Sequence, residues 1–320
     1  MAILQNLPAE IFSEIAKHLD HNSVQRFLRT NRRLHKFVKG DRYNFAKVDI
    51  DLVINLNKEK NDVMSISIRK SDRKNGGFKR SQEFQSFHEV FDEYLGEILS
   101  ACNPISLSIY QCSSDLLYKL TQKIQRFQCK LEFLELNCGS ANVKIVEKFL
   151  NSVTPKRIVY RAETNRHVTK AIYETKAFKS TTELDVMVFR KSASKSPLPS
   201  VCLTSIKAPF FSTNIPIEIN NETLKGLITD FLKGARDFDA NLGWNIPCKT
   251  DLLNEILVFS GQKFETKILL DNEHRPCGRL FELKRDRQTG STLRLMWTAS
   301  SLIVNGILFT LRENFDFIAV

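Results

Sequence analysis

The chain reads as a mixed α/β protein, α+β overall: an N-terminal three-helix module, an irregular β–α solenoid, and an antiparallel β cap at the C-terminus. Three observations predict it. Apolar residues in the first forty positions recur at helical spacing, broken twice by capping residues. From residue 105 strand-like and helix-like stretches alternate, with strands about 20 to 27 residues apart. After Ser260-Gly261 the helical spacing stops and β-branched runs separated by turns take over.

The opening module spans residues 1–40. Pro8 stands at a helix start, where its missing N–H costs nothing. Ile11, Ile15 and Leu19 fall at i, i+4 and i+8, with Phe12 beside them. Asp20, His21 and Asn22 break this helix and offer capping oxygens to a second, which carries Val24, Phe27 and Leu28. Asn31 caps a third with Leu34, Phe37 and Val38, and Gly40 ends it. So few residues make too small a core to cover all these side chains, so part of the stripe should face another surface.

The motif Leu7-Pro8-x-Glu10-Ile11-x-x-Glu14-Ile15-x-x-x-Leu19, followed by Leu28-x-x-x-Asn31-x-x-Leu34 and Val38, resembles an F-box. The third helix lacks the tryptophan many F-boxes carry, and Thr30 stands where valine is common. The resemblance implies docking on a Skp-type adaptor and, through it, on a cullin–RING ubiquitin ligase. It nominates Leu7, Pro8, Ile11, Phe12, Ile15, Leu19, Leu28 and Leu34 for adaptor binding, some of which must instead pack the module's own core.

Residues 41–104 connect the module to the repeats: strands at 47–57 and 62–69, a basic turn or hairpin tip at 71–81, and an amphipathic helix over 84–102. That helix carries Phe84, Phe87, Phe91, Tyr94, Leu95, Ile98 and Leu99 on one face. The repeats occupy 105–260. Strands are expected at 104–110, 131–138, 155–161, 183–189 and 203–211, with a short one at 238–242. Helices are expected at 114–127, 143–153 (capped by Asn142), 167–178, 221–233 and 252–259, and a Ser/Pro loop at 192–199. Leu131-x-x-Leu134-x-Leu136 matches the core of a leucine-rich repeat, so the solenoid is leucine-rich-repeat-like, with an extended binding face. Residues 261–320 form the cap, with strands at 264–270, 279–285, 292–297, 302–311 and 314–320.

The composition argues against several function classes. The run from 295 to 311 has no charge, yet its Thr, Ser, Asn and Gly make it two buried strands rather than a membrane helix. Seven cysteines form no Cys-x-x-Cys pair and no disulfide framework, as in a reduced cytoplasmic or nuclear protein. There is no phosphate-binding glycine loop, no nucleophile elbow and no metal spacing beyond an isolated His274-x-x-Cys277, so neither catalysis nor a cofactor nor a metal is expected. The net charge of +11 raises nucleic acid as a partner, but the basic residues are dispersed and no nucleic-acid module is present.

An N-terminal F-box followed by irregular β–α units is similar to the F-box families expanded in nematodes, with their F-box-associated domain. The segment from Phe281-Glu282-Leu283 to Phe315-Asp316-Phe317 resembles the closing strands of that domain. The resemblance implies a substrate receptor that holds a target protein for ubiquitination. Outward strand residues are the candidates for target binding: Tyr110, Glu135, Asn137, Arg161, Arg190 and Lys207. A one-residue slip in strand parity would exchange the faces. With three cations among them, an acidic partner segment is expected. Two alternatives stand beside this reading: a scaffold with no ligase, and a basic nucleic-acid binder whose affinity falls steeply with salt.

Overall fold

The computed structural model describes residues 48–57, 63–70, 79–85, 89–164, 167–189, 198–199, 201–215, 217–218, 221–238, 244–247, 265–270, 276–284, 292–298, 301–304 and 316–319. The expected three-helix module and the helix at 252–259 lie outside the described residues. The chain is mixed α/β and divides into two compact units, residues 1–133 and 134–320.

In the first unit, β1 (Val48–Asn57), β2 (Val63–Lys70), β3 (Lys79–Gln85) and β4 (Cys102–Tyr110) lie in the order β4-β1-β2-β3. β1 and β2 pair antiparallel, as do β2 and β3, whereas β1 and β4 run parallel. Period-2 alternation sets the faces: Ile50, Leu52, Ile54 and Leu56 are buried while Asp49 and Asn55 are exposed. The β1–β4 register shifts between Ile50 and Asp51, beside Pro104, which has no N–H to give the ladder.

Among the described residues this unit also holds two helices, α1 (Glu89–Ala101) and α2 (Ser114–Phe127). Phe91, Leu95, Ile98 and Leu99 are the buried stripe of α1. The Ser113 side chain accepts from Leu116 N at 3.3 Å to start α2, and Gln128 in the left-handed region ends it. Lys123 of α2 reaches Asp92 of α1 at 3.1 Å; Gly96, one turn beyond Asp92, leaves the space, since a Cβ there would lie 3.3 Å from Lys123 Nζ. The helix expected over 84–102 is thus shorter. Phe84 belongs to β3, opposite Met64, and its ring packs edge-on against Phe91 at 5.4 Å.

The second unit opens with β5 (Phe133–Asn137), α3 (Val143–Ser152), β6 (Arg157–Ala162), α4 (Lys170–Tyr173), α5 (Lys176–Ser180) and β7 (Glu183–Val188). It continues with β8 (Leu198–Pro199), α6 (Val201–Ser205), β9 (Phe210–Thr213), β10 (Ile217–Glu218), α7 (Asn221–Leu232) and β11 (Trp244–Pro247). The last strands are β12 (Glu265–Leu270), β13 (Pro276–Lys284), β14 (Thr292–Thr298), β15 (Ser301–Val304) and β16 (Asp316–Ala319). Their order is β5-β6-β7-β9-β11-β15-β14-β13-β12-β16, and the short β8 and β10 pair separately. From β6 through β7 and β9 to β11 successive pairs are parallel; from β11–β15 onward every pair is antiparallel.

Two expected elements differ here. Residues 167–178 form two short helices rather than one, because Thr175 is extended and its hydroxyl donates to Ile172 O at 2.7 Å. The strand expected at 203–211 is α6 followed by β9. Leu203 and Ile206 are buried at helical spacing, and Pro209 bars the ladder until Phe210.

Candidate protein-binding face

Alternation along β5, β6, β7 and β9 sends Leu134, Leu136, Ile158, Tyr160, Ala162, Leu184, Val186 and Phe211 into the core, each fully buried. The intervening residues therefore share the opposite face: Glu135 and Asn137 on β5, Arg157, Val159 and Arg161 on β6, Glu183, Asp185 and Met187 on β7, and Phe210 and Ser212 on β9. Parallel register lines them up, with Arg157 beside Glu183 and Phe210, Val159 beside Asp185 and Ser212, and Arg161 beside Met187.

The charges on this face are largely paired within it. Arg157 Nε lies 3.2 Å from Glu183 Oε2 with both side chains well exposed, a geometry that contributes little. Arg161 Nη2 lies 3.0 Å from Glu135 Oε1, and here the carboxylate side chain is only 11% exposed. The Arg161 guanidinium also sits over the Phe189 ring, 5.8 Å from its centroid. Phe189 follows β7 directly and is 52% exposed. Its N–H donates to Ala162 O at 3.1 Å. The Asn214 carboxamide accepts from Val188 N at 2.9 Å and donates to Val188 O at 3.0 Å. The ring is exposed, but the backbone beneath it is fastened on both sides.

Asp185 is the outlier. Its Oδ1 is buried with no hydrogen-bond partner among the described residues. Burial pushes the carboxyl above its ordinary value of 3.8, against the opposing pull of Arg161 and then Arg157. A carboxyl raised on folding contributes stability that is complete below the unfolded value and is lost as pH rises through the folded one. Asp185→Asn should therefore melt above the wild type at pH 7, with the difference vanishing as pH falls to the ordinary carboxylate value. Paired thermal melts at pH 3.5 and pH 7 check this; a lower melting point for Asp185→Asn at pH 7 would contradict it.

The residues nominated from sequence are scattered. Glu135, Asn137 and Arg161 stand on the outward face of adjacent strands, and Asn137 Oδ1 accepts from Gly139 N at 3.3 Å in the following turn. Tyr110 ends β4 in the first unit, half-buried. Lys207 is not on a strand: it lies between α6 and β9, and its ammonium faces Asp230 of α7 at 3.7 Å. Arg190 and the eight adaptor-binding candidates (Leu7, Pro8, Ile11, Phe12, Ile15, Leu19, Leu28 and Leu34) lie outside the described residues. Phe189 was not nominated. The available signal was parity: Leu184, Val186 and Val188 are apolar, so Phe189 shares the polar side with Glu183 and Asp185.

Among the described residues no three His, Cys, Asp or Glu side chains gather as metal ligands, and no helix is long and apolar enough to cross a membrane. An F-box domain is found at residues 4–45. No curated protein and no solved structure matches the chain. F-box domains bind Skp-type adaptors in cullin–RING ligases, so the N-terminus carries a role in adaptor binding.

Proposed function

We propose that this chain is the substrate-recognition subunit of a Skp–cullin–F-box ubiquitin ligase. The observation that carries the reading is the F-box at residues 4–45, placed at one end of a much longer chain. Leu7 and Pro8 enter the adaptor's groove, and Ile11, Phe12, Ile15, Leu19, Leu28 and Leu34 supply the stripe along it. The remaining residues hold a target, supplying contact surface and no bond chemistry, in the cytoplasm or nucleus. The leucine-rich-repeat-like reading of 105–260, with 41–104 as connector and 261–320 as cap, draws support from the parallel run β6, β7, β9 and β11. The nematode type, with its F-box-associated domain, rests on the resemblance of the closing segment alone.

The acidic-partner expectation is weakened. Arg161 already faces Glu135, Lys207 faces Asp230, and Arg190 is not among the described residues.

Co-purification with a Skp-type adaptor tests the ligase reading. The full chain should retain the adaptor, and Leu7→Ala with Pro8→Ala should reduce recovery about tenfold or more, as loss of central interface anchors does. Equal recovery of the two proteins would refute adaptor docking through this motif.

A further inference from the structure

Phe189 and Tyr118 are the large hydrophobic side chains exposed among the described residues, and only Phe189 lies on the outward strand face of the second unit. The backbone that carries the ring is held by bonds to Ala162 and, at Val188, to Asn214, so covering the ring orders only its two side-chain torsions. Arg161 over the ring is tied in turn by Glu135. An aromatic residue and an arginine ringed by polar groups is the composition of an interface hot spot.

Charge selects what covers it. Arg157 and Arg161 alternate with Glu135, Glu183 and Asp185 across three neighbouring strands. An incoming carboxylate would compete with Glu135 for Arg161 and meet the other carboxyls. An incoming ammonium would have to displace Arg157 from Glu183 or Arg161 from Glu135. An uncharged apolar side chain meets neither penalty and removes the exposed ring from water.

We infer that the Phe189 ring and the Arg161 guanidinium form a docking site for a segment of the target protein, engaged through an uncharged aromatic or aliphatic side chain. This rests on the target-holding reading above, but its test is independent of adaptor binding. A phage-displayed random dodecapeptide library is panned on the full chain, and the enriched peptides are synthesised and titrated. Enriched sequences should share a central aromatic or aliphatic residue without adjacent charge. They should bind Phe189→Ala about tenfold more weakly and Phe189→Leu only slightly more weakly than wild type. Phe189→Ala should keep the wild-type melting temperature and adaptor recovery, which separates lost docking from lost folding.

Failure to enrich any peptide on the wild type over Phe189→Ala overturns the inference. So do Asp/Glu-rich peptides whose binding survives that substitution. Self-association in sedimentation equilibrium that Phe189→Ala abolishes also overturns it, because the occupant is then a second copy of the chain. Adaptor capture that fails while these peptides bind refutes the ligase reading and leaves the docking site standing.

Discussion

Phe178→Ala should destabilise the second unit by about 3–5 kcal/mol, the usual cost of truncating a buried phenylalanine. Phe178, on α5, is fully buried where the helices meet the sheet. Its ring stands edge-on to Tyr160 of β6 at 5.4 Å and to Tyr173 of α4 at 5.7 Å. Each edge-to-face pair adds about 0.5–1.5 kcal/mol to simple burial. The cluster is also a junction, since Tyr160 Oη donates to His167 O at 2.7 Å and His167 Nε2 pairs with Ala141 O at 2.9 Å. Two large rings that lose a common neighbour cannot both collapse into the space. Urea denaturation followed by circular dichroism should show a lower midpoint with an unchanged slope. Phe178→Leu should recover a substantial part of the loss; an alanine variant within 1 kcal/mol of wild type would show that the cluster is not part of the cooperative core.

Arg236→Ala should cost about 3 kcal/mol, because it strips a charged donor from the buried Ile206 carbonyl and leaves it unsatisfied. Arg236 follows α7 and is 3% exposed, an unusual position for a guanidinium. It donates to Ile206 O and, at 3.4 Å, to Thr204 O, at the C-terminal end of α6. Asp230, half-exposed on α7, lies 3.7 Å from its Nε and supplies the opposing charge. Burial lowers the Arg236 pKa from its ordinary value and Asp230 acts the other way; a guanidinium stays a cation at neutral pH, so the effect should be flat from pH 6 to 8. Arg236→Lys should fall between alanine and wild type, since an ammonium lacks the planar, pre-organised fork whose two nitrogens reach the two carbonyls. Equal stability of lysine and wild type in chemical denaturation would contradict this role.

Both positions show where reading the chain residue by residue stops. The apolar spacing of α1, α2, α3 and α7 and the caps at Ser113 and Asn142 are local, and those helices lie close to where periodicity puts them. The strands β1, β2, β6 and β7 follow for the same reason, since period-2 alternation needs only one buried face. The region around 203–211 misleads because Leu203, Ile206, Ala208 and Phe211 satisfy neither period cleanly, and Pro209 divides a helix from a strand. Phe84 misleads because a strand residue next to a helix start extends the helical stripe on paper.

The candidate face divides the same way. That Glu135, Asn137 and Arg161 share strand parity is a property of alternation. That Glu135 neutralises Arg161, that Lys207 turns to Asp230, and that Phe189 comes under a guanidinium are properties of how segments 23 to 28 residues apart pack together.

By itself, then, the sequence determined the F-box at the N-terminus and the alternation of strand and helix, because both are written in spacings of a few residues. Tertiary structure alone decided which charges cancel, which arginine is buried and which ring is left in water. Those outcomes depend on how strands align across the sheet, and no single segment encodes its neighbour's register.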